Sequence, residues 1–282
     1  MPLFKQVTIV GLGLMGGSLG MAIKRHRLAK DVVGLSRSHL TIRRAKRHGA
    51  IDRGTTNATR AVRDADVIVL ATPVHTIVPY AQRLARRMRA GAILTDVGST
   101  KAQIVRTLER TLPSHVAFVG THPLTGSEQR GLVAAQHDLF DGALCVVTAT
   151  KRTNRLALAR IRRLWSALAH RVVVMDPKTH DRLLAAVSHL PHLVAFCLVQ
   201  TADHRALRVA PRSFLDATRV AKSDPGLWNE IFFSNRTALL AAMDRFDRQW
   251  RALRTQLLHG NRTALRRFLS RAQFIRHALQ ER

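Results

Sequence analysis

The chain has 282 residues, 46% hydrophobic and 23% charged, a composition that excludes a disordered protein and leaves room for two domains. Lys and Arg number 46 against 18 Asp and Glu, for a net charge of +28. The excess is spread along the chain: residues 1–176 carry 28 basic against 10 acidic side chains, and residues 177–282 carry 18 against 8. With no basic tail and no aromatics interleaved with Arg, the charge reads as a solvated surface that attracts anionic substrates, and no nucleic-acid partner is expected. Cys145 and Cys197 lie in apolar runs without metal-ligand spacing, so buried thiols are expected and no metal site. No run reads as a bilayer span and the N-terminus lacks a leader pattern, so a cytoplasmic protein with no membrane partner is expected.

The first stretch, QVTIVGLGLMGGSLG from Gln6 to Gly20, runs an apolar strand into Gly11-x-Gly13-x-x-Gly16 and then a helix. In that order Gly11 turns the chain off the strand, Gly13 clears the way for a pyrophosphate, and Gly16 lets helix and strand pack closely. The helix N-terminus then offers free N–H groups to phosphate. The predicted cofactor-binding backbone is therefore Gly11, Leu12, Gly13, Leu14, Met15 and Gly16. A second strand is predicted over 31–35. In this fold an acid just beyond it takes the ribose 2′-hydroxyl of NAD, but here Ser36, Arg37 and Ser38 follow. A hydroxyl and a guanidinium suit a 2′-phosphate instead, which favours NADP while leaving NAD possible.

Residues 66–71 read as a strand buried on both faces, stopped by Thr72 and Pro73 where the nicotinamide would lie. Residues 91–96 form another strand. Ser99 follows at its C-terminal end, either as a ligand-facing hydroxyl or as a helix N-cap, two roles that are compatible. His122-Pro123 is expected in a loop just past a strand. From the loop alone His122 is either a catalytic imidazole or a bystander. Strands over 143–149 and 171–175 and a helix over 154–169 complete a doubly wound parallel α/β domain of residues 1–176.

The strand signal stops after Asp176-Pro177, and residues 177–282 are expected to be all helical. A helix over 180–200 contains Ser188-His189-Leu190-Pro191-His192, with Pro191 predicted to kink it. His189 and His192 share a face; with no third ligand in reach, a substrate-facing pair is preferred to a metal pair. Arg219, Lys222 and Asp224 cluster before Pro225, with Asp224 placed to cap the next helix. A long helix with an apolar stripe from Phe232 to Leu257 and a third helix over 262–279 suggest a homodimer, with packing inside one chain as the alternative.

Together these segments resemble the prephenate/arogenate dehydrogenases of tyrosine biosynthesis, in order and over the whole length: VGLGLMGGSL, ADVIVLATPV, TDVGSTK, THPLTGSE, LFDGA, SHLPH and TRVAKSDPGLW. The resemblance implies a Rossmann domain followed by a helical dimerisation domain. It also implies oxidative decarboxylation of prephenate or arogenate, with hydride transfer to a nicotinamide cofactor. It makes His122 the partner of the substrate C4 hydroxyl and Ser99 the residue that orients both. It places His192 and Arg219 on substrate, Trp228 beside the pocket, Glu128 at its entrance, and His189 and Lys222 near the site. His192 in SHLPH points to prephenate over arogenate. No appended regulatory or chorismate mutase domain is expected, so any tyrosine inhibition would act at the active site. The alternatives are another NADP-dependent β-hydroxyacid dehydrogenase and a basic nucleic-acid binder with a vestigial Rossmann domain.

Overall fold

The central apolar runs of the first half, Val67–Leu70 and Ile93–Asp96, become strands buried on both faces. A computed structural model describes residues 1–125, 129 and 131–279. In chain order the first half runs β1 (Phe4–Val10), α1 (Leu14–Arg25), β2 (Ala29–Leu35), α2 (His39–Arg47), β3 (Arg53–Thr55), α3 (Ala58–Val62), β4 (Val67–Leu70) and α4 (Val74–Ala85). It continues with β5 (Ile93–Asp96), α5 (Ala102–Thr111), β6 (Ala117–Leu124), β7 (Leu144–Thr148), α6 (Arg155–Ser166) and β8 (Arg171–Met175). One sheet orders them β3-β2-β1-β4-β5-β6-β7-β8. Leu19 and Ile23 of α1 and Ile161, Leu164 and Trp165 of α6 build the core on one face. Ile77 and Leu84 of α4 and Ile104 and Leu108 of α5 build it on the other.

Every pairing is parallel except one. β6 runs parallel to β5 as far as Gly120, opposite Asp96, and then pairs antiparallel with β7 from Thr121 to Leu124. His122 and Pro123 therefore lie within a strand, not in the expected loop. Pro123 is tolerated because β6 has already left β5, so one edge has no strand neighbour to receive an N–H.

The second half begins with α7 (Pro177–Leu184), capped by the Asp176 carboxylate. A π turn (Ala185–His189) leads into α8 (Leu190–Thr201). Thus Pro191 does not kink a continuous α-helix. The backbone widens one turn ahead of it, with Leu190 N–H reaching the carbonyl of Ala185, and Pro191 enters α8 in its first turn, where a missing N–H costs little. Two short helices, α9 (His204–Arg208) and α10 (Arg212–Thr218), precede a 3-10 turn (Arg219–Lys222) and α11 (Pro225–Ser234). Asp224 caps α11 by accepting from Leu227 N–H at 2.6 Å, as its position predicted. The expected continuous stripe from Phe232 is broken at Asn235, so Phe232 belongs to α11 and the long helix α12 spans Arg236–Leu258.

Two compact units result, Met1–Asn235 and Arg236–Arg282. In the second, α12 and α13 (Arg262–Ala278) form a hairpin turned at Gly260, whose φ of +61° suits glycine. Its large side chains Phe246, Trp250, Leu257 and Phe274 are exposed. The run Pro177–Thr201, with a mean hydropathy of 1.7, is long and apolar enough to cross a bilayer by length and composition, contrary to the expectation of no such run. In this fold its His180, Asp181 and His189 are buried in protein.

The closest approach in the first unit is at Gly16, where a Cβ would run into the carbonyl oxygen of Gly11. Gly16→Ala is expected to destabilise the protein by about 1–3 kcal/mol, read by urea unfolding. Wild-type stability would remove the close packing from the account of this turn.

Candidate active site

Two groups of residues meet at the C-terminal end of the sheet, where ligands bind in such folds. The first lies beside the switch point between β1 and β4. Gly11 has a φ of +92°, which lets the chain leave β1 under the carbonyl of Ala71. A Cβ on Gly13 would meet nothing within 4 Å, so the backbone is open where a pyrophosphate would approach it. A cavity of about 640 Å³ is lined here by Gly11, Gly13, Ser36, Arg37, Thr72 and Pro73, with His75, Tyr80 and Arg83 on its far wall. These residues fit a nicotinamide dinucleotide: open glycine backbone, a helix N-terminus, and hydroxyl and guanidinium groups at the ribose end.

The structure sorts the predicted cofactor residues. Leu12 is buried and Met15 packs against the same core, so they support the turn from below. Leu14 opens α1. The Ser38 hydroxyl does not line the cavity; it caps α2 by accepting from Thr41 N–H at 3.3 Å. Arg83, which the sequence does not mark as a site residue, stands over the Tyr80 ring at 4.8 Å and lines the cavity. A larger cavity of about 760 Å³ lies at the N-terminal end of β6, between α5 and α6, and contains none of the predicted site residues.

The second group is a chain of polar side chains carried by β6, α7, the π turn, α8 and α11. His122 Nδ1 lies 2.9 Å from His180 Nε2, and His180 Nδ1 lies 2.7 Å from Asp181 Oδ1. The same carboxylate accepts from Lys101 N–H and Ala102 N–H, each at 2.8 Å. Asp181, 80 positions downstream, thus caps α5, and Ser99 is not its N-cap. The proton positions follow from the donors. The Asp181 oxygens accept, so His180 carries its proton on Nδ1, and its Nε2 accepts from His122 Nδ1–H. The lone pair of His122 is left on Nε2, which has no hydrogen-bond partner among the described residues.

Electrostatics reinforce that state. Burial holds the His122 proton affinity well below the usual histidine range, and His180, Lys101 and His189 push the same way. Lys101 is fully buried with its ammonium against Asp96, whose carboxylate also accepts from Gly98 N–H at 2.9 Å. Burial also lowers the proton affinity of His180, against the pull of Asp181. Ser99 sits half-buried in the turn between Asp96 and Lys101 and makes no hydrogen bond to His122. The residue that holds His122 is His180.

Beyond His189 the site opens to His192, which stacks on Trp228 with ring centroids 3.5 Å apart and planes at 23°. The Nδ1 of His192 meets the Ser188 carbonyl at 2.9 Å, which leaves Nε2 at the outer corner of the ring. Burial lowers its proton affinity, and the charge of Arg219 adds to the effect. Arg219 and Lys222 are exposed at the two ends of the 3-10 turn before α11. Glu128 lies outside the described residues. Sequence reasoning missed His180, Asp181 and Asn235. The adjacent His-Asp pair at the head of an apolar helix was a visible signal for the first two, whereas nothing local marked Asn235.

Comparison with known proteins agrees with this architecture. The family model described as prephenate dehydrogenase, nucleotide-binding domain, matches residues 19–174, and that described as prephenate dehydrogenase, dimerization domain, matches residues 176–271. The cyclohexadienyl dehydrogenase of Zymomonas mobilis is 33% identical, with 99% of this chain and 98% of the relative covered. The prephenate dehydrogenase of Bacillus subtilis is 32% identical, with 97% and 76% covered. Among solved structures, the prephenate dehydrogenase of A. aeolicus in complex with hydroxyphenyl propionate and NAD+ has a TM-score of 0.91 at 31% identity, covering 98% of both chains. The arogenate dehydrogenase of Synechocystis has a TM-score of 0.86 at 28% identity, covering 97% of this chain and 99% of that one. With a Rossmann sheet, an open glycine turn and a linked His122–His180–Asp181 chain already in place, these matches make the chain a member of the prephenate dehydrogenase family.

Proposed function

We propose that this enzyme oxidatively decarboxylates prephenate to 4-hydroxyphenylpyruvate in tyrosine biosynthesis, in the cytoplasm, with NADP as hydride acceptor. The observation that carries the reading is the bare Nε2 of His122, held by His180 and Asp181 on the same sheet as the dinucleotide cradle. Residues 1–176 serve as the dinucleotide-binding part and residues 177–282 as the substrate and dimerisation part.

A nicotinamide cofactor supplies the hydride acceptor when bound. His122 takes the proton of the C4 hydroxyl as the hydride leaves the same carbon. Loss of the ring carboxylate as carbon dioxide then makes the ring aromatic, and His122 can return the proton to the phenolate. The imidazolium formed in between is stabilised through His180 by the Asp181 carboxylate, as in a triad where the carboxylate orients the base without taking its proton. Ser99, in the turn that Asp96 and Lys101 brace, is assigned to the substrate hydroxyl. Arg219 and His192 are assigned to the substrate carboxylates at the other end, with Trp228 fixing the His192 ring. Glu128 is assigned to the pocket entrance and Lys222 to its rim.

The NADP assignment rests on Ser36 and Arg37 lining the cavity where NAD-dependent relatives of this fold place an acid. The homodimer assignment rests on the exposed Met243, Phe246, Trp250 and Leu257 along α12, which two helices alone do not cover.

His122→Asn is expected to lower kcat by about 10²–10⁴-fold with cofactor affinity near wild type, and unchanged turnover would exclude His122 as the base. Because the basic form of His122 is required and its proton affinity is depressed, kcat/KM should stay flat through neutral pH and fall on the acid side, with an apparent pKa below 6.5. An inflection above that value would contradict the burial argument.

An absorbance assay crossing prephenate and arogenate with NAD and NADP is expected to give most activity with prephenate and NADP. Activity with arogenate alone would reassign the substrate, and silence in all four combinations would defeat the reading. Ser36→Asp should shift preference toward NAD, and Arg219→Ala should raise KM more than it lowers kcat. Sedimentation should give a dimer that Trp250→Glu weakens.

A further inference from the structure

His189 is more deeply enclosed than any other histidine at the mouth of the site except His180, with 1% of its surface exposed. The π turn is what puts it there: Val187 on the same turn is 72% exposed, while His189 faces inward. Its ring stands edge-on to Trp228, with centroids 6.1 Å apart. Its Nδ1 lies 3.2 Å from Nδ2 of Asn235, a buried residue at the end of α11. The same Asn235 Nδ2 lies 2.7 Å from the backbone carbonyl of Asp181.

These two contacts settle which atom carries which proton. A backbone carbonyl only accepts, so the amide must present its nitrogen to Asp181, and its orientation is fixed. That nitrogen only donates, so the second hydrogen goes to His189 Nδ1, which must be bare. The proton of the neutral ring is then on Nε2. Protonating Nδ1 would set two donors against each other and break the bond to Asn235.

We propose that Asn235 is a positioning residue that locks His189 as a neutral ring with its proton on Nε2, presenting a hydrogen-bond donor and not a cation to an oxygen of the bound substrate. The inference rests on the functional reading above for the identity of that substrate. The ionisable and charged groups facing His189 are consistent with it. His180 and His192 disfavour a second proton and Asp181 favours one, and burial brings the balance down to about 4. Neutrality matters to the neighbour: a charge on His189 would depress the basicity of His122 further. Nε2 is at the opposite corner of the ring from Asn235 and has no hydrogen-bond partner among the described residues.

The test uses full-length protein labelled with ¹⁵N-histidine, without substrate, with the His189 signals assigned by their loss in His189→Gln. NMR is expected to find His189 neutral and protonated on Nε2 throughout the neutral range. Asn235→Asp, which offers an acceptor in place of the donor, should move the proton to Nδ1, and Asn235→Ser should give a mixture of tautomers. A doubly protonated or Nδ1-protonated His189 in the wild type would overturn the proposal. So would a tautomer unaffected by either folded variant.

Kinetics supply the second readout. His189→Gln, whose amide N–H can still donate, should lose at least about fivefold less kcat/KM than His189→Leu. His189→Leu should lose about 10–100-fold, the range of one hydrogen bond to a charged group. Equal losses in both variants would reject the donor role. The NMR result does not depend on which substrate turns over, so failure of the prephenate assay and failure of this proposal are distinguishable.

Discussion

The hydrogen bonds of one residue, Asp181, tie together the elements of the candidate site. Its carboxylate accepts from two N–H groups at the start of α5 and from the His180 ring, and its backbone carbonyl accepts from Asn235. Four elements are pinned by these contacts: the sheet-edge turn that carries Ser99, the helix that follows the sheet, the His122 ring, and the end of α11. A carboxylate at a helix N-terminus is stabilised by the unpaired N–H groups and the helix dipole. The same charge then serves as the anchor of a histidine pair. Removing it would leave two N–H donors at the start of α5 without their acceptor and the His180 ring without its anchor.

The electrostatics around His122 point in one direction. The role proposed for His122, taking a proton from an alcohol, requires it to be unprotonated at working pH yet able to hold the charge briefly. Burial, and after it His180 and Lys101, disfavour its protonation, and in the proposed role the Asp181 carboxylate, acting through His180, would steady the imidazolium. Asp96 neutralises Lys101 locally and braces the turn through Gly98. The buried ion pair therefore shapes the field of the site as well as its backbone.

The fold was legible in the sequence because its signals are local. An apolar strand, three glycines and a helix announce the dinucleotide cradle, and strands such as Val67–Leu70 are apolar on both faces, as a central parallel sheet requires. The candidate site was legible only in part. His122, His192, Arg219 and Trp228 sit in distinctive segments. What holds His122 is a contact between residues 58 positions apart, whereas the family resemblance pointed to Ser99. Asn235 ends a helix with nothing in its neighbourhood to mark it, since its partners Asp181 and His189 are 54 and 46 positions away. His122 itself was placed in a loop because Gly, Thr and Ser residues surround it just past a strand. The structure keeps it in a strand because β6 changes partner at that point.

The π turn has a consequence for how this site can vary in evolution. An α-helix turns about 100° per residue, so the one additional residue between α7 and α8 sets the angular phase of everything after it. Deleting a residue from Ala185–His189 would preserve helical hydrogen bonding, yet it would swing His192 off the Trp228 ring and turn the apolar side of α8 elsewhere. A length change that a surface loop absorbs freely would here break the register between the His192–Trp228 stack and the His122–His180 pair. The segment should therefore accept substitutions such as those at exposed Val187 far more readily than insertions or deletions.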